Sequence, residues 1–311
     1  MKSHDLGQFL LNSKRLNEIQ LFRLIVASKN SDPTLAVEAL FLQLVSAEEL
    51  TAILRLNRTL AFDERVRNLI VDRRETDSEF QKMLSVYRKA AIDESVRTLI
   101  TSRQANRAEE LRDGQSIRLA QGMLDNGLAN FFKLERILDA YQSQQVPPLE
   151  SMMTVYYEHW KNLPTTDFPF AIDLMRGLHT FLSETFNESV IILPPSGEPH
   201  GELLGASVKL AGTLSAVTGI LADRKTFFDL AVRYDDSTKS MEDSIDAIAE
   251  LLNVFIGHFA VRVAMQHGLE SEPEPPRHGE VNGEFPSFRL MTDVGIFYVY
   301  INGREIFERD D

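Results

Sequence analysis

Apolar residues recur at helical spacing through the first half of the chain. Leu6, Leu10, Leu16, Leu21 and Ile25 form one stripe, and Leu35, Ala39, Leu40, Leu50 and Leu54 form another. Asp32-Pro33-Thr34 predicts a turn into a helix. Ser46 followed by Glu48 and Glu49 predicts a helix start, because serine caps free backbone N–H groups and acids suit the positive end of the helix dipole. From Asp63 to Arg112 charge is dense but the period persists through Val66, Leu69, Ile70, Phe80, Leu84, Ile92, Val96 and Leu99. The expectation is stacked helices, with the polar stretch Thr101 to Gly114 as exposed helix or a joint.

The pattern changes near Leu163-Pro164-Thr165. Phe170 to Asn187 is predicted helical, with Ile172, Leu174, Met175, Leu178, Leu182 and Phe186 on its buried side. Val190 to Leu193 reads as a short strand, and Leu203 to Ala211 and Ala216 to Leu221 as two strands joined at Gly212. Asp223 is placed to cap a helix through Phe227, Leu230 and Val232. A long helix follows from about Ser240 to His267, with Ser240 and Asp243 at capping-box spacing. Glu270 to Pro276 reads as an acidic, Pro-rich loop, and Phe285 to Met291 with Ile296 to Ile301 as a closing strand pair turning at Asp293-Val294-Gly295. Helix, three strands, two helices and two strands predict an α+β layer with an antiparallel-rich sheet on one side and helices on the other.

Composition sharpens the division. At 311 residues the chain has room for about two domains. Residues 1–164 hold 4 of the 16 Gly and 4 of the 12 Pro, whereas 165–311 hold 12 and 8. Since both residues interrupt helices, an all-helical domain 1–164 and a mixed domain 165–311 are expected. Charge divides the same way: 22 basic and 22 acidic residues over 1–164, but 11 basic and 24 acidic over 165–311. The whole net charge of −13 therefore falls in the second part. Such a surface repels nucleic acid, whose binding requires Lys and Arg to displace counterions, and suits a basic protein surface instead. The absence of cysteine excludes disulfides, thiolate metal sites and a Cys nucleophile. No charge-free apolar run of 18 residues and no signal-like apolar core occur, so neither a membrane span nor secretion is expected.

The long helix carries a second, polar stripe. Ile245, Ile248, Leu252, Phe255 and Phe259 share one face, expected to be buried. Asp246, Glu250, Asn253 and Gly257 stand at steps of four, three and four along another. Glycine inside a helix costs about 1 kcal/mol relative to alanine, so close approach of another backbone is expected at Gly257. Glu250 and Asn253 also form a chemical pair: a carboxamide can hold a water by donating and accepting hydrogen bonds, and a carboxylate can engage a lysine or take a proton. The pattern does not choose between these uses, and a solvated helix face presents the same residues. A bare Glu-x-x-Asn occurs also at Glu184 to Asn187, without the flanking Asp and Gly.

The run Asp246 to Gly257 resembles the signature helix of the CheX family of the CheC/CheX/FliY superfamily, Asp-x-x-x-Glu-x-x-Asn-x-x-x-Gly. The surroundings follow the family in order: a preceding helix (Phe170 to Asn187), a strand pair with small residues (Gly205 to Gly219), a short helix (Asp223 to Arg233), a loop ending Pro275-Pro276-Arg277-His278-Gly279, and a strand pair around Gly295. The resemblance covers about 165–303. His258 departs from the small polar residue common there, and the single convincing signature is like CheX rather than two-site CheC relatives.

The resemblance implies a phosphatase, acting in chemotaxis or two-component signalling on the aspartyl phosphate of a CheY-type response-regulator receiver. Asn253 would position a water in line with phosphorus and Glu250 would pair with the receiver's lysine, with Asp246 and Gly257 in partner contact. Mg²⁺ is expected on the receiver, with no cofactor or metal on this chain. The seven His are scattered without HExxH spacing; His258 reads as a packed or surface residue. A cytoplasmic location follows, and a homodimer is compatible. No phosphate-cradling Gly-rich loop and no G-x-S-x-G elbow occur. The alternative is a non-catalytic CheX-like adaptor that binds a receiver or another signalling partner.

Residues 5–28 and 34–57, separated by 29–33, resemble the paired 24-residue copies of the MshEN module, which binds cyclic dimeric GMP. The apolar frame is present, but the Arg positions hold Asp5 and Thr34, the tenth positions, Gly in the family, hold Lys14 and Gln43, and the last hold Ser28 and Asn57. Of the first Gly pair only Gly7 stands, Ala36 replacing the other. A further copy starting at Arg118 keeps Leu119 and Gly127 but has no matching second half. A helical module of this shape without nucleotide binding is expected; a cyclic dinucleotide sensor is the weaker third reading, and generic packed helices give the same apolar frame.

Overall fold

A computed structural model of the chain describes residues 6–29, 31–60, 93, 95–96, 114–144, 146, 148–160, 168–186, 188–195, 202–213, 215–281 and 287–302. In chain order these form helices α1 (Leu6–Asn12), α2 (Glu18–Ser28), α3 (Leu35–Phe41), α4 (Ala47–Leu60), α5 (Gly114–Asp125), α6 (Phe131–Gln142), α7 (Pro148–Trp160) and α8 (Phe168–Phe186). Strands β1 (Ile191–Ile192), β2 (Leu203–Gly212) and β3 (Ala216–Ala222) follow, then α9 (Arg224–Tyr234) and α10 (Met241–His267). The last four elements are β4 (Ser271–Pro273), β5 (Arg277–Val281), β6 (Ser287–Met291) and β7 (Ile296–Asn302). The fold is α+β with a helical first half, as the periodicity predicts. Most of the stretch Asp63 to Arg112 lies outside the described residues.

The chain forms two compact units, Met1–Phe22 with Val146–Asp311, and Arg23–Gln145. These limits differ from a single cut at residue 164. Helices α1 and α7 pack on each other, and α1 also meets β1, so both belong with the sheet. The junction 161–167 lies outside the described residues.

In the sheet-bearing unit the strand order is β1-β6-β7-β3-β2-β4, with β5 also paired to β2. Every pairing is antiparallel. The stretch expected as the loop Glu270–Pro276 instead contains β4, and β5 follows it, so among the described residues four strands rather than two succeed α10. Both new strands pair with β2 alone and lie at the sheet's edge, where Pro273, Pro275 and Pro276 hide any alternating pattern. One sheet face carries the main core: Leu204, Ala206, Val208, Ile220, Val299 and Ile301 meet the apolar sides of the helices. On the reverse face Leu203, Val217, Leu221, Val281 and Tyr300 form a smaller cluster. Tyr300 stands opposite Gly219 across the β3–β7 pair, and its ring fills the place a Cβ on Gly219 would take.

The helices of both units share a repeated turn. Lys14 (φ 54°), Gln43 (φ 55°) and Gly127 (φ 65°) adopt the left-handed conformation. These are the three tenth positions of the copies starting at residues 5, 34 and 118. The same bonds close each turn: Arg15 N–H to Leu10 O (3.0 Å), Leu44 N–H to Ala39 O (2.9 Å), and Leu128 N–H to Met123 O (2.9 Å). This is the Schellman geometry that satisfies the last carbonyls of a helix. Three residues later a polar side chain caps the next helix. Gln20 N–H donates to Asn17 Oδ1 (2.9 Å), Glu49 N–H to Ser46 Oγ (3.2 Å), and Lys133 N–H to Asn130 Oδ1 (2.9 Å). The copy starting at Arg118 therefore shares the turn and the following cap of the other two. Within Arg23–Gln145, α3 packs on α5 and α4 on α6, so equivalent helices of the second and third copies face each other.

Candidate functional site

Helix α10 positions the candidate pair. Its start is fixed by a capping box: Ser240 Oγ accepts from Asp243 N–H (3.0 Å) while Asp243 Oδ2 accepts from Ser240 N–H (2.9 Å). Glu242 and Asp243 in the first turn and His267 in the last complement the helix dipole. Gly268, at φ 67°, ends the helix. Ile248, Leu251, Leu252, Phe255, Ile256 and Phe259 are buried in the main core. Each fully buried side chain of this size contributes about 1.5–3 kcal/mol, which sets the helix's rotation about its axis. By length and composition α10 could cross a membrane, unlike the sequence expectation, but half of its most apolar window is buried inside the fold.

That rotation brings the predicted stripe to the surface. Asp246 and Glu250 are exposed, and Asn253 and Gly257 are half-buried. Glu250 and Asn253 lie one turn apart on the same side, a spacing of about 5–6 Å between Cβ atoms. Among the described residues, no atom outside its own stretch of helix lies within 4 Å of where a Cβ on Gly257 would stand. The close approach of another backbone expected at Gly257 is therefore not made among the described residues.

Tyr234, at the end of α9, stands near enough to Glu250 to feel its charge, a proximity the sequence does not signal. Its ring packs partly on the main core, and its phenol is pushed up first by burial and then by the carboxylates of Glu250 and Asp235. Asp223 caps α9 through Lys225 N–H (3.0 Å) and Thr226 N–H (3.1 Å), as expected. Arg233 pairs with Asp293 (2.7 Å) and with Glu188, tying α9 to the β6–β7 turn.

His258 lies about 140° around the helix from Asn253, given 100° per residue. It is exposed and meets the Phe181 ring edge-on at 6.5 Å between centroids. With Arg262, whose guanidinium covers the Phe259 ring at 4.9 Å, it lines a groove of about 320 Å³ between α8 and α10. It lines that groove, about 20° around the helix from the position of Met265. In the other Glu-x-x-Asn, Glu184 is exposed on α8 and Asn187 lies outside the described residues. Among the described residues, no group of three or more His, Cys, Asp or Glu is placed to hold a metal ion.

Solved structures similar to this chain include chemotaxis proteins. CheX from Desulfovibrio desulfuricans is 15% identical over 41% of this chain and 94% of its own, with a TM-score of 0.33. CheX from Vibrio vulnificus is 13% identical over 42% and 92%, with a TM-score of 0.34. The CheX–CheY–BeF3–Mg complex from Borrelia burgdorferi gives 17% over 42% and 94%, with a TM-score of 0.34. The likeness spans about two-fifths of this chain and nearly the whole of each of those chains. No family model matches the chain, and no curated protein matches it.

Two further side chains lie outside the predicted stripe. Val261 (60% exposed) and Met265 (83% exposed) are apolar but face solvent on α10. Both break the 3.6-residue rhythm of the buried face, which is the sign by which the sequence could have disclosed them.

Proposed function

We propose that the sheet-bearing unit is a phosphatase for the aspartyl phosphate of a CheY-type receiver, working in the cytoplasm. The observation that carries this reading is the joint presentation of Glu250 and Asn253, one turn apart, on the outer side of a helix held by the core beneath it. In the reaction, Asn253 orients a water so that its oxygen attacks phosphorus in line. The bond between phosphorus and the aspartyl oxygen breaks, the receiver's carboxylate leaves, and inorganic phosphate is released. Glu250 holds the receiver's lysine, which fixes the two active surfaces in register. Such a reaction depends on positioning and charge stabilisation more than on covalent chemistry by the enzyme, so an amide and a carboxylate suffice on this side. The Mg²⁺ that neutralises the phosphoryl oxygens belongs to the receiver.

Phosphate release from a phosphorylated CheY-type receiver tests the reading. Wild-type chain accelerates the decay, Asn253→Ala removes the acceleration, and Glu250→Gln weakens it. Equal decay with all three chains leaves a non-catalytic adaptor as the better description.

A further inference from the structure

On the outer side of α10 the polar stripe does not end the usable surface. From Asp246 to Gly257 is about 16 Å at 1.5 Å per residue, on a helix about 10 Å across. A specific complex covers about 800 Å² on each partner, far more than this strip. The next two turns supply the continuation. Taking 100° per residue, Glu250, Gly257, Val261 and Met265 lie about 60°, 40°, 80° and 120° from Asn253, all on one side of the helix. Single exposed apolar side chains are ordinary. Here two stand one turn apart, 60% and 83% exposed, next to a glycine whose side-chain space is filled by nothing within 4 Å. A helix-interior glycine that no described residue requires to be small leaves room for something from outside. The charges along α10 agree: Glu242, Asp243, Asp246 and Glu250 all lie in its first half, while Val261 and Met265 lie in its second.

We propose that the docking face runs from the Glu250–Asn253 pair across Gly257 to Val261 and Met265. Resting on the receiver-phosphatase reading, it takes a receiver surface of mixed character. A basic group meets the acidic half, and a bulky apolar side chain, about 16–22 Å from the lysine that meets Glu250, lies over Val261 and Met265. Gly257 admits that surface close to the helix.

The test uses the full chain and a CheY-type receiver loaded with beryllofluoride and Mg²⁺ that the wild-type chain binds by calorimetry. Val261→Glu and Met265→Glu each raise Kd about tenfold or more, the size expected of a central apolar contact. Met265→Ala gives a smaller rise. The exposure of both side chains keeps the fold intact, which circular dichroism checks. Unchanged Kd in both glutamate variants overturns the extended face, whatever Asn253→Ala does to phosphoryl decay. Raised Kd in those variants together with unaltered decay in Asn253→Ala keeps the docking face and sinks the phosphatase reading instead.

Discussion

Gln8 holds both backbone polar atoms of Ile192: its Nε2 donates to Ile192 O at 2.8 Å, and its Oε1 accepts from Ile192 N–H at 2.8 Å. The carboxamide thus stands where the next strand's backbone would be, on a two-residue strand at the end of the sheet. An open strand edge invites pairing with another chain, and α1 closes this one. Gln121 occupies the same fourth position of the third copy. Its Oε1 accepts from Thr34 N–H and from Thr34 Oγ1, both at 3.0 Å, and its Nε2 donates to Asp125 as Gln8 Nε2 does to Asn12. One helix position therefore serves for docking in both units. Replacing Gln8 by Ala leaves a buried N–H and a buried carbonyl unpaired, a cost of about 2–4 kcal/mol. Urea unfolding measures the loss, and faster hydrogen exchange at Ile192 locates it. The Gln8→Glu variant keeps the acceptor but sets a carboxylate against a carbonyl, and is expected to be no better than Gln8→Ala.

The repeated turn gives a prediction with opposite signs at equivalent positions. An L-residue in the left-handed conformation is strained by about 1–2 kcal/mol, where glycine is not. Lys14→Gly and Gln43→Gly are each expected to stabilise the fold by about 0.5–1 kcal/mol, the strain relieved being partly offset by glycine's greater freedom when unfolded. Gly127→Ala is expected to destabilise it by about 1 kcal/mol, although no atom within 4 Å would clash with the new Cβ. Thermal or denaturant unfolding of the three variants decides it. Equal effects at all three positions contradict the account.

How much of the fold and site is legible in the sequence depends on where each feature's cause resides. The caps at Ser46, Asp223 and Ser240 and the rotation of α10 are written locally, in a polar residue before an apolar period, and they appear as expected. The outward presentation of Glu250 follows from the buried Ile248, Leu252, Phe255 and Phe259 on the opposite side of the helix. Strands β4 and β5 give no such signal, because their pairing partner is β2, far earlier in the chain, and nothing local demands it. The copy starting at Arg118 carries a local signal of the same kind beside Leu119 and Gly127, Asn130 before the period of Leu134, Ile137, Leu138 and Tyr141 in α6. The inclusion of α1 in the sheet-bearing unit depends on Gln8, whose partner lies 184 residues away. Tyr234 comes near Glu250 through the packing of α9 on α10, which no local pattern signals.

Tyr300 against Gly219 offers a test of the reverse sheet face. A Cβ at 219 would overlap the Tyr300 ring and come within 2.8 Å of Ala206 O, and the ring is fully buried. Gly219→Ala is expected to cost about 1–3 kcal/mol through overpacking. Tyr300→Leu in the same chain relieves the overlap, so the double variant should lose less than the two single losses combined. Additive losses in urea unfolding would tell against contact as the cause.

Acid sensitivity has an identifiable source in His179. It is buried on α8, with Nε2 2.6 Å from Val190 O. Burial pushes its pKa below the usual value, opposed only by that bond. The unfolded chain therefore takes up a proton near pH 6.5 that the folded chain refuses. The stability it contributes is complete above that pH and declines as pH falls below it, by at most about 1.4 kcal/mol per pH unit, until the folded pKa is reached. His179→Gln keeps a donor for Val190 O and removes the titration. Unfolding free energies of wild type and variant between about pH 7 and 5 should diverge in slope; parallel curves would exclude His179 as the source.

Gly257 separates stability from binding most cleanly. Inside a helix, glycine to alanine gains about 1 kcal/mol when the new methyl group meets nothing, and nothing lies within 4 Å of the site. Gly257→Ala is therefore expected to raise the unfolding free energy by about that amount. The same methyl group fills the space through which a receiver reaches Glu250 and Asn253, so receiver binding should weaken as the fold strengthens. Gly257→Leu sharpens the contrast, with stability near that of the alanine variant and binding weaker still. Unfolding curves and receiver calorimetry on the same preparations read both effects. Stability gained with binding intact would mean that the partner does not pass over this turn of α10, and loss of stability would mean that an internal contact does require the glycine.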